Sequence, residues 1–321
     1  MHWLTQIKRR ILVSPPVKFV IRRSKKIFLP GFQGIPLFDV VRFFFLQARK
    51  VGFTERASAI SFNFVMAIPP SVIFLFTLIP YLPISKEFIQ QMFSFIKDVV
   101  PGEKNNEGLI TFLSDILNNQ RTGLLSTGFI LAMFFSSNAV MGIMRSFDKN
   151  YIGFRKRSGF HQRWVALRLT AIIFVLFFGC ILALVMQGAV LRWFGIENAT
   201  LISVLHNFRW VLILLLFFFC ISFIYRYAPA IHKKWKLINP GSILATFLMI
   251  VFTAGFSYWV SNFSHYNELY GSISTVLILM LLIYFNSLVL LIGFELNVSI
   301  SSLKYEVDER NKNVSSSKHT V

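Results

Sequence analysis

Charged residues act as fences along this chain. No Asp, Glu, Lys or Arg lies between Arg56 and Lys86, Arg121 and Arg145, Arg168 and Arg192, Arg209 and Arg226, Lys236 and Glu268, or Glu268 and Glu295. A hydrocarbon core of ~30 Å takes about 20 helical residues to cross. The six intervals therefore predict six transmembrane helices, near residues 58–81, 124–144, 166–190, 206–226, 240–262 and 273–297. The fourth is the narrowest: 16 residues separate Arg209 from Arg226, or ~24 Å of helix. Leu201–Leu205 can lengthen its outer end, both arginines can snorkel, and Trp210, Tyr225 and Tyr227 stand where an aromatic belt belongs. Barrel strands alternate apolar and polar residues. Runs such as Leu212–Phe219 do not.

Two segments outside the spans also carry helical spacing. From Pro36 to Gly52, Leu37, Val40, Val41, Phe44, Phe45 and Ala48 share one face, and Asp39, Arg42, Arg49 and Lys50 the other. The pattern predicts an interfacial helix on the inner leaflet. The loop of residues 84–123 holds two helical stretches broken at Pro101-Gly102. The fold class is thus all-α: a polytopic membrane protein with both termini inside, an N-terminal interfacial helix and one helical external loop. The organisation reads as a basic segment over 1–56, a six-helix domain over 57–303 and a tail over 304–321. The polar run from Asp308 onward predicts a disordered tail.

Composition agrees with this reading. Apolar residues make up 55% of the chain and 37 residues are Phe, more than a soluble domain could hide from water. The net charge of +19 raises a nucleic-acid partner, but its placement argues for topology. Of the 33 Lys and Arg, 27 fall on the side of the two termini and 6 on the other. This positive-inside split sets both termini in the cytoplasm of a multi-pass protein of the cell's inner, or plasma, membrane. No nucleic acid is expected. The natural partners are anionic lipid headgroups on the cytoplasmic side. Arg155, Lys156, Arg157, Lys233, Lys234 and Lys236 are the candidate contacts. Self-association stays open. Cys180 and Cys220 lie in apolar runs and read as small buried side chains. No cleavable signal peptide is expected, because the basic start lacks an apolar core at the right distance.

Motifs for chemistry are missing. The sequence has no HExxH, no Cys/His ligand spacing, no phosphate-binding Gly loop and no GxSxG. No enzyme and no cofactor are expected. Polar residues inside spans are costly and must face protein or water. Asn63, Asn138, Arg145, Glu295 and Asn297 form the candidate intramembrane polar site, with Glu295 paired to Arg145 or Arg56 in a site opening inward. A solvated pair at the interface is the plainer alternative. Pro69 and Pro70 remove two backbone donors and predict a kink in the first helix. Small residues such as Gly179 and Gly255 read as packing positions.

A set of motifs recurs in order along the chain. Arg56 through Phe62 (RASAISF) enters the first helix, and Tyr227-Ala-Pro229 ends the fourth. Asn239-Pro-Gly-Ser242 opens the fifth, Tyr270-Gly-Ser272 precedes the sixth, and Leu291 through Asn297 (LIGFELN) lies within it. Over residues 40–303 this run resembles the YihY/BrkB family of bacterial inner-membrane proteins. Leu282 and Phe294 depart from the family pattern, which often has Trp and a small residue there. The resemblance implies six spans and a plasma-membrane location, but no settled activity. Some relatives are called virulence factors and some ribonuclease BN. The residues here favour transport or lipid handling in the cell envelope. A scaffold binding partners through the external loop is the alternative, and a membrane ribonuclease a remote one.

Overall fold

The computed structural model describes residues 19, 22–48, 52–81, 115, 122–148, 157–193, 199–232, 234–263 and 273–318. The loop expected over 84–123, and Arg155, Lys156 and Lys233, lie outside the described residues or nearly so. Among the described residues, seven helices carry the fold. They are α1 (Leu37–Ala48), α2 (Phe53–Leu78), α3 (Thr122–Phe147), α4 (Gly159–Trp193), α5 (Ala199–Tyr227), α6 (Pro240–Phe263) and α7 (Ile273–Lys318). Helices α2 to α7 fall on the six charge-free intervals. Five contain a membrane-length apolar stretch, and α5 supplies a shorter one at Val211–Tyr227. Its helix begins at Ala199, so the extension through Leu201–Leu205 is present.

The termini of these helices follow local chemistry. Gly52 precedes α2 at φ 60°, a left-handed conformation that costs Gly little. Pro240 opens α6, where its missing N–H is no loss, and Asn239 caps it. Helix α2 runs unbroken through Pro69 and Pro70.

The six spans close a ring in chain order. Each packs on its neighbour in sequence, and α7 returns to pack on α2. Small residues let α2 and α3 come close. A Cβ on Gly128 would touch the Phe74 backbone at 3.4 Å, and one on Gly142 would meet the Asn63 amide at 2.9 Å. The main core gathers the inner ends of all six: Ile60, Ile143, Phe147, Leu169, Tyr225, Trp235, Leu291 and Phe294 among others. The inner end is the end that the basic residues assign to the cytoplasm.

Two expectations change. Helix α1 does not lie on lipid with its whole apolar face. Val40 is fully buried and joins Phe32, Ile35, Leu37, Leu296, Ile300 and Leu303 in a second cluster against α7, while Phe45 is 61% exposed. The turn before it, with Gly31 at φ 90°, lies against Pro240. The residues from Phe32 to Val40 therefore strap the inner end. The expected disordered tail is instead helical, since α7 continues to Lys318. After Gly293 the chain has no Gly or Pro to stop it, and Lys304 pairs with Asp308 at 2.9 Å one turn on.

Candidate functional site

The family-like motifs converge on the inner end. Asn239 caps α6 by accepting the Ser242 N–H at 2.8 Å, and the Ser242 hydroxyl donates to the Asn239 carbonyl at 2.9 Å. Asn297 of α7 joins this cap. Its Oδ1 accepts the Gly241 N–H at 2.9 Å, and its Nδ2 donates to Asn239 Oδ1 at 2.6 Å. Gly241 and Gly293 sit where the two helices cross. A Cβ on Gly293 would lie 2.6 Å from the Gly241 carbonyl oxygen and 2.5 Å from the Tyr225 hydroxyl. No side chain fits at that crossing without moving backbone.

Aromatic rings fill the space beside the crossing. Phe147 of α3 stacks on Phe294 of α7, with centroids 3.9 Å apart and planes 3° from parallel. Trp235 and Tyr225 lie against this pair, each within 6 Å of one ring. The polar tips are satisfied: the Tyr225 hydroxyl donates to Leu290 O at 2.6 Å, and the Trp235 indole to Ser301 Oγ at 2.8 Å. Arginines tie the loops down. Arg226 donates to Trp235 O at 3.1 Å, and Arg157 to Ala228 O and Pro229 O at 3.0 and 3.1 Å. Burial lowers the Arg157 pKa, and the carboxylate of Asp148 opposes that shift. One expected lipid contact is therefore spent on the end of α5. Lys234 and Lys236 are exposed, with Lys234 over the Tyr227 ring.

The five residues of the expected polar site have separate settings. Asn63 turns back to the Ala59 carbonyl beside Gly142. Asn138 accepts a hydrogen bond from Arg163 of α4. Arg145 is exposed, whereas Glu295 is completely buried. Leu290, Gly293 and Asn297 face α5 and α6, so Glu295 points to the other side of α7, where α2 packs. Arg56, in the first turn of α2, is half-buried and donates to the Ser146 carbonyl at 3.1 Å. Ser146 adjoins Phe147, which stacks on the neighbour of Glu295. Of the two cations named from sequence, Arg56 is the one whose surroundings resemble those of Glu295.

Sequence reasoning singled out Asn297 but missed its partners as site residues. Asn239, Gly241 and Gly293 were legible as a cap signature and as glycines within helical runs. Tyr225 reads from sequence as an aromatic-belt residue, but it is fully buried; Trp235 and Arg163 left no such signal.

Packing differs between the two ends of the ring. In the outer half, Phe74, Phe129, Phe174 and Phe178 knit α2, α3 and α4 together. In α6, every described side chain from Ile250 to Val260 is at least partly exposed. The same holds for Val276–Asn286 in α7 and Val211–Cys220 in α5. Within this stretch Thr253 and Asn286 make long hydrogen bonds of 3.4–3.5 Å in exposed surroundings. Thr253 lies 13 residues into α6, ~20 Å along it. Among the described residues the buried hydroxyls of Ser222, Thr246 and Ser299 meet no hydrogen-bonding side chain or backbone group. Among the described residues no group of three His, Cys, Asp or Glu is placed to hold a metal.

Comparison with known proteins is consistent with these motifs. Residues 44–318 match the family model described as virulence factor BrkB. The protein named "Putative ribonuclease-like protein YfkH" of Bacillus subtilis is 28% identical over 259 residues, covering 79% of this chain and 92% of that protein. A UPF0761 membrane protein of Xanthomonas campestris pv. campestris is 36% identical over 89 residues, which is 28% of this chain and 21% of the relative. A UPF0761 membrane protein of Xanthomonas axonopodis pv. citri matches to the same extent. No solved structure matches.

Proposed function

The chain belongs to the virulence factor BrkB family, and from that premise we propose that this multi-pass membrane protein acts in transport or lipid handling in the cell envelope. The observation that carries the reading is the uneven ring. Its inner end is filled by the stacked aromatics and the Asn239–Gly241–Asn297 cap. Its outer half leaves long stretches of α6 and α7, and the middle of α5, without a buried side chain among the described residues. A helix ring built only for support gains most by packing along its whole length. One that takes in a substrate needs one end shut and another that can admit it. The exposed Thr253–Asn286 pair supports this, since polar groups at membrane depth face water or a ligand rather than acyl chains.

The test is reconstitution of the full chain into vesicles carrying a headgroup-labelled phospholipid in both leaflets. A membrane-impermeant quencher reports lipid movement between leaflets. Wild type is expected to raise the rate above protein-free vesicles, and Asn286→Leu to lower it. Wild-type vesicles no faster than empty ones, for labelled phospholipids of anionic and zwitterionic class alike, would sink the lipid-handling reading. The name of the Bacillus relative favours a second reading, ribonuclease activity. Purified protein that degrades RNA, and stops doing so on Glu295→Ala, would replace our proposal with that one.

A further inference from the structure

One arginine points the wrong way for a membrane protein. Arg163 lies in the second turn of α4, close to the inner end. Such a side chain normally snorkels toward the headgroups. Here its Nη1 instead donates to Asn138 Oδ1, and its guanidinium carbon sits 4.6 Å from the centroid of the Phe134 ring. Asn138 is nine residues before the inner end of α3 at Phe147, ~13 Å along the helix. Phe134 is a further turn out. The guanidinium is thus held below the headgroup plane by an amide oxygen and an aromatic face. Among the described residues neither of these partners is an acid. A guanidinium has five N–H donors, and Asn138 takes one of them.

The surroundings face lipid. Leu131, Phe134, Asn138 and Arg145 share one strip of α3 at spacings of three, four and seven residues. That strip borders Gly128 and Gly142, which meet α2, and its Asn138 and Phe134 turn to α4. Leu131 and Phe134 are each 49% exposed, and Arg145 is exposed at the inner end of the same strip. On α4, Phe160 and Trp164 flank Arg163 and are exposed too. The groove between α3 and α4 therefore offers a cation at its mouth, a second cation at depth and an apolar wall beside both.

We propose that this groove binds an anionic glycerophospholipid of the inner leaflet, with its phosphate drawn in to Arg163 and Asn138 and its acyl chains along Leu131 and Phe134. Charge complementarity selects the occupant. The phosphate offers oxygens to the remaining guanidinium donors, and only an amphiphile also covers the exposed wall. The inference deepens the lipid-handling reading and rests on it for the purpose of the site.

Binding can be tested apart from movement. Purified full-length protein in detergent is titrated with phosphatidylglycerol, phosphatidylcholine and inorganic phosphate, and adducts are read by native mass spectrometry. Wild type is expected to favour phosphatidylglycerol over phosphatidylcholine by about tenfold, the scale of one charge-assisted contact. Arg163→Met should abolish that preference and Arg163→Lys keep part of it. Asn138→Leu should weaken it, and serves if Arg163→Met does not fold. Lys304→Gln, which removes a charge already paired with Asp308, should leave it intact. The proposal is overturned if wild type shows no headgroup preference, or if Arg163→Met and Asn138→Leu both keep it. It is also overturned if Lys304→Gln weakens it as much, or if inorganic phosphate displaces the lipid. Running the same variants in the vesicle assay separates the two readings. Lipid movement with no Arg163-dependent binding removes the site and leaves the function. Arg163-dependent binding with no movement does the reverse.

Discussion

Gly293→Ala is the sharpest perturbation of the close-packed inner end. The added methyl would lie 2.6 Å from the Gly241 carbonyl oxygen, 2.5 Å from the Tyr225 hydroxyl and 2.8 Å from Ala245 Cβ. Ordinary C···O contacts begin near ~3.3 Å and C···C contacts near ~3.5 Å, so each neighbour must retreat by about 0.7 Å. Two of the three cannot do so alone. The Gly241 oxygen belongs to the backbone, and Tyr225 is fully buried with its hydroxyl bonded to Leu290 O. Helices α6 and α7 must therefore part. Overpacking of this kind costs about 1–3 kcal/mol. The Tyr225–Leu290 and Gly241–Asn297 bonds lengthen beyond use, at about 1 kcal/mol each. Replacing Gly by Ala within a helix offsets about 1 kcal/mol. The balance is a loss of about 3 kcal/mol. Gly255→Ala is the matched control, since nothing lies within 4 Å of its added methyl. It should be neutral, or gain up to about 1 kcal/mol from propensity. Unfolding of both purified variants in mixed micelles, followed by tryptophan fluorescence against denaturing detergent, gives the comparison. If Gly293→Ala unfolds with Gly255→Ala, the close crossing is not as described and the argument fails.

Asn297→Ala should cost about 2 kcal/mol in the same unfolding assay, because it strands the buried Gly241 N–H and removes a donor to Asn239. Asn297→Asp keeps the acceptor for Gly241 but sets a carboxylate oxygen against Asn239 Oδ1 and should cost at least as much; wild-type stability of both variants would mean the cap does not matter. Glu295→Arg should be rescued by Arg56→Glu and not by Arg145→Glu, judged by yield of monodisperse protein. Rescue by the Arg145 exchange would return the pair to the more exposed cation. Spin labels at Glu306 and Arg310 should report one-turn helical spacing in the purified protein, given that α7 runs to Lys318. A broad distance distribution would restore the disordered tail.

The spans were legible because crossing a membrane demands a long uncharged run, and such a run is visible in one dimension. Even the narrow fourth interval came out, since Leu201–Leu205 extends α5 where sixteen residues fell short. The tail differs for a related reason. Polar composition from Asp308 onward predicts disorder, yet polarity says only that a segment needs no core, and the helix continues to Lys318. The segment begins on a helix already anchored by Leu296, Ile300 and Leu303 against α1, and nothing in it breaks the helix. Nucleation, the costly step, was already done by the span.

Pairings between helices were harder to read, and Arg163 shows why. Counted as one of the basic residues in a cytoplasmic loop, it helped set the orientation of the chain. Its side chain then does what that count does not register, reaching up to Asn138 instead of out to the headgroups. Charge counting treats every Lys and Arg of a short loop as equivalent, whatever its side chain touches. Where each guanidinium ends up depends on which helix stands beside it, and that is set by the closing of the ring. Arg157 makes the same point in the opposite sense: its loop position suggests a lipid contact, and it holds the end of α5 through the Ala228 and Pro229 carbonyls. The positive-inside asymmetry therefore mixes at least two populations. Some of its described cations, Arg157 and Arg226 among them, are structural ties, and others, such as Lys234 and Lys236, stand exposed. Sorting one from the other requires the partner of each, which is the information a linear sequence withholds.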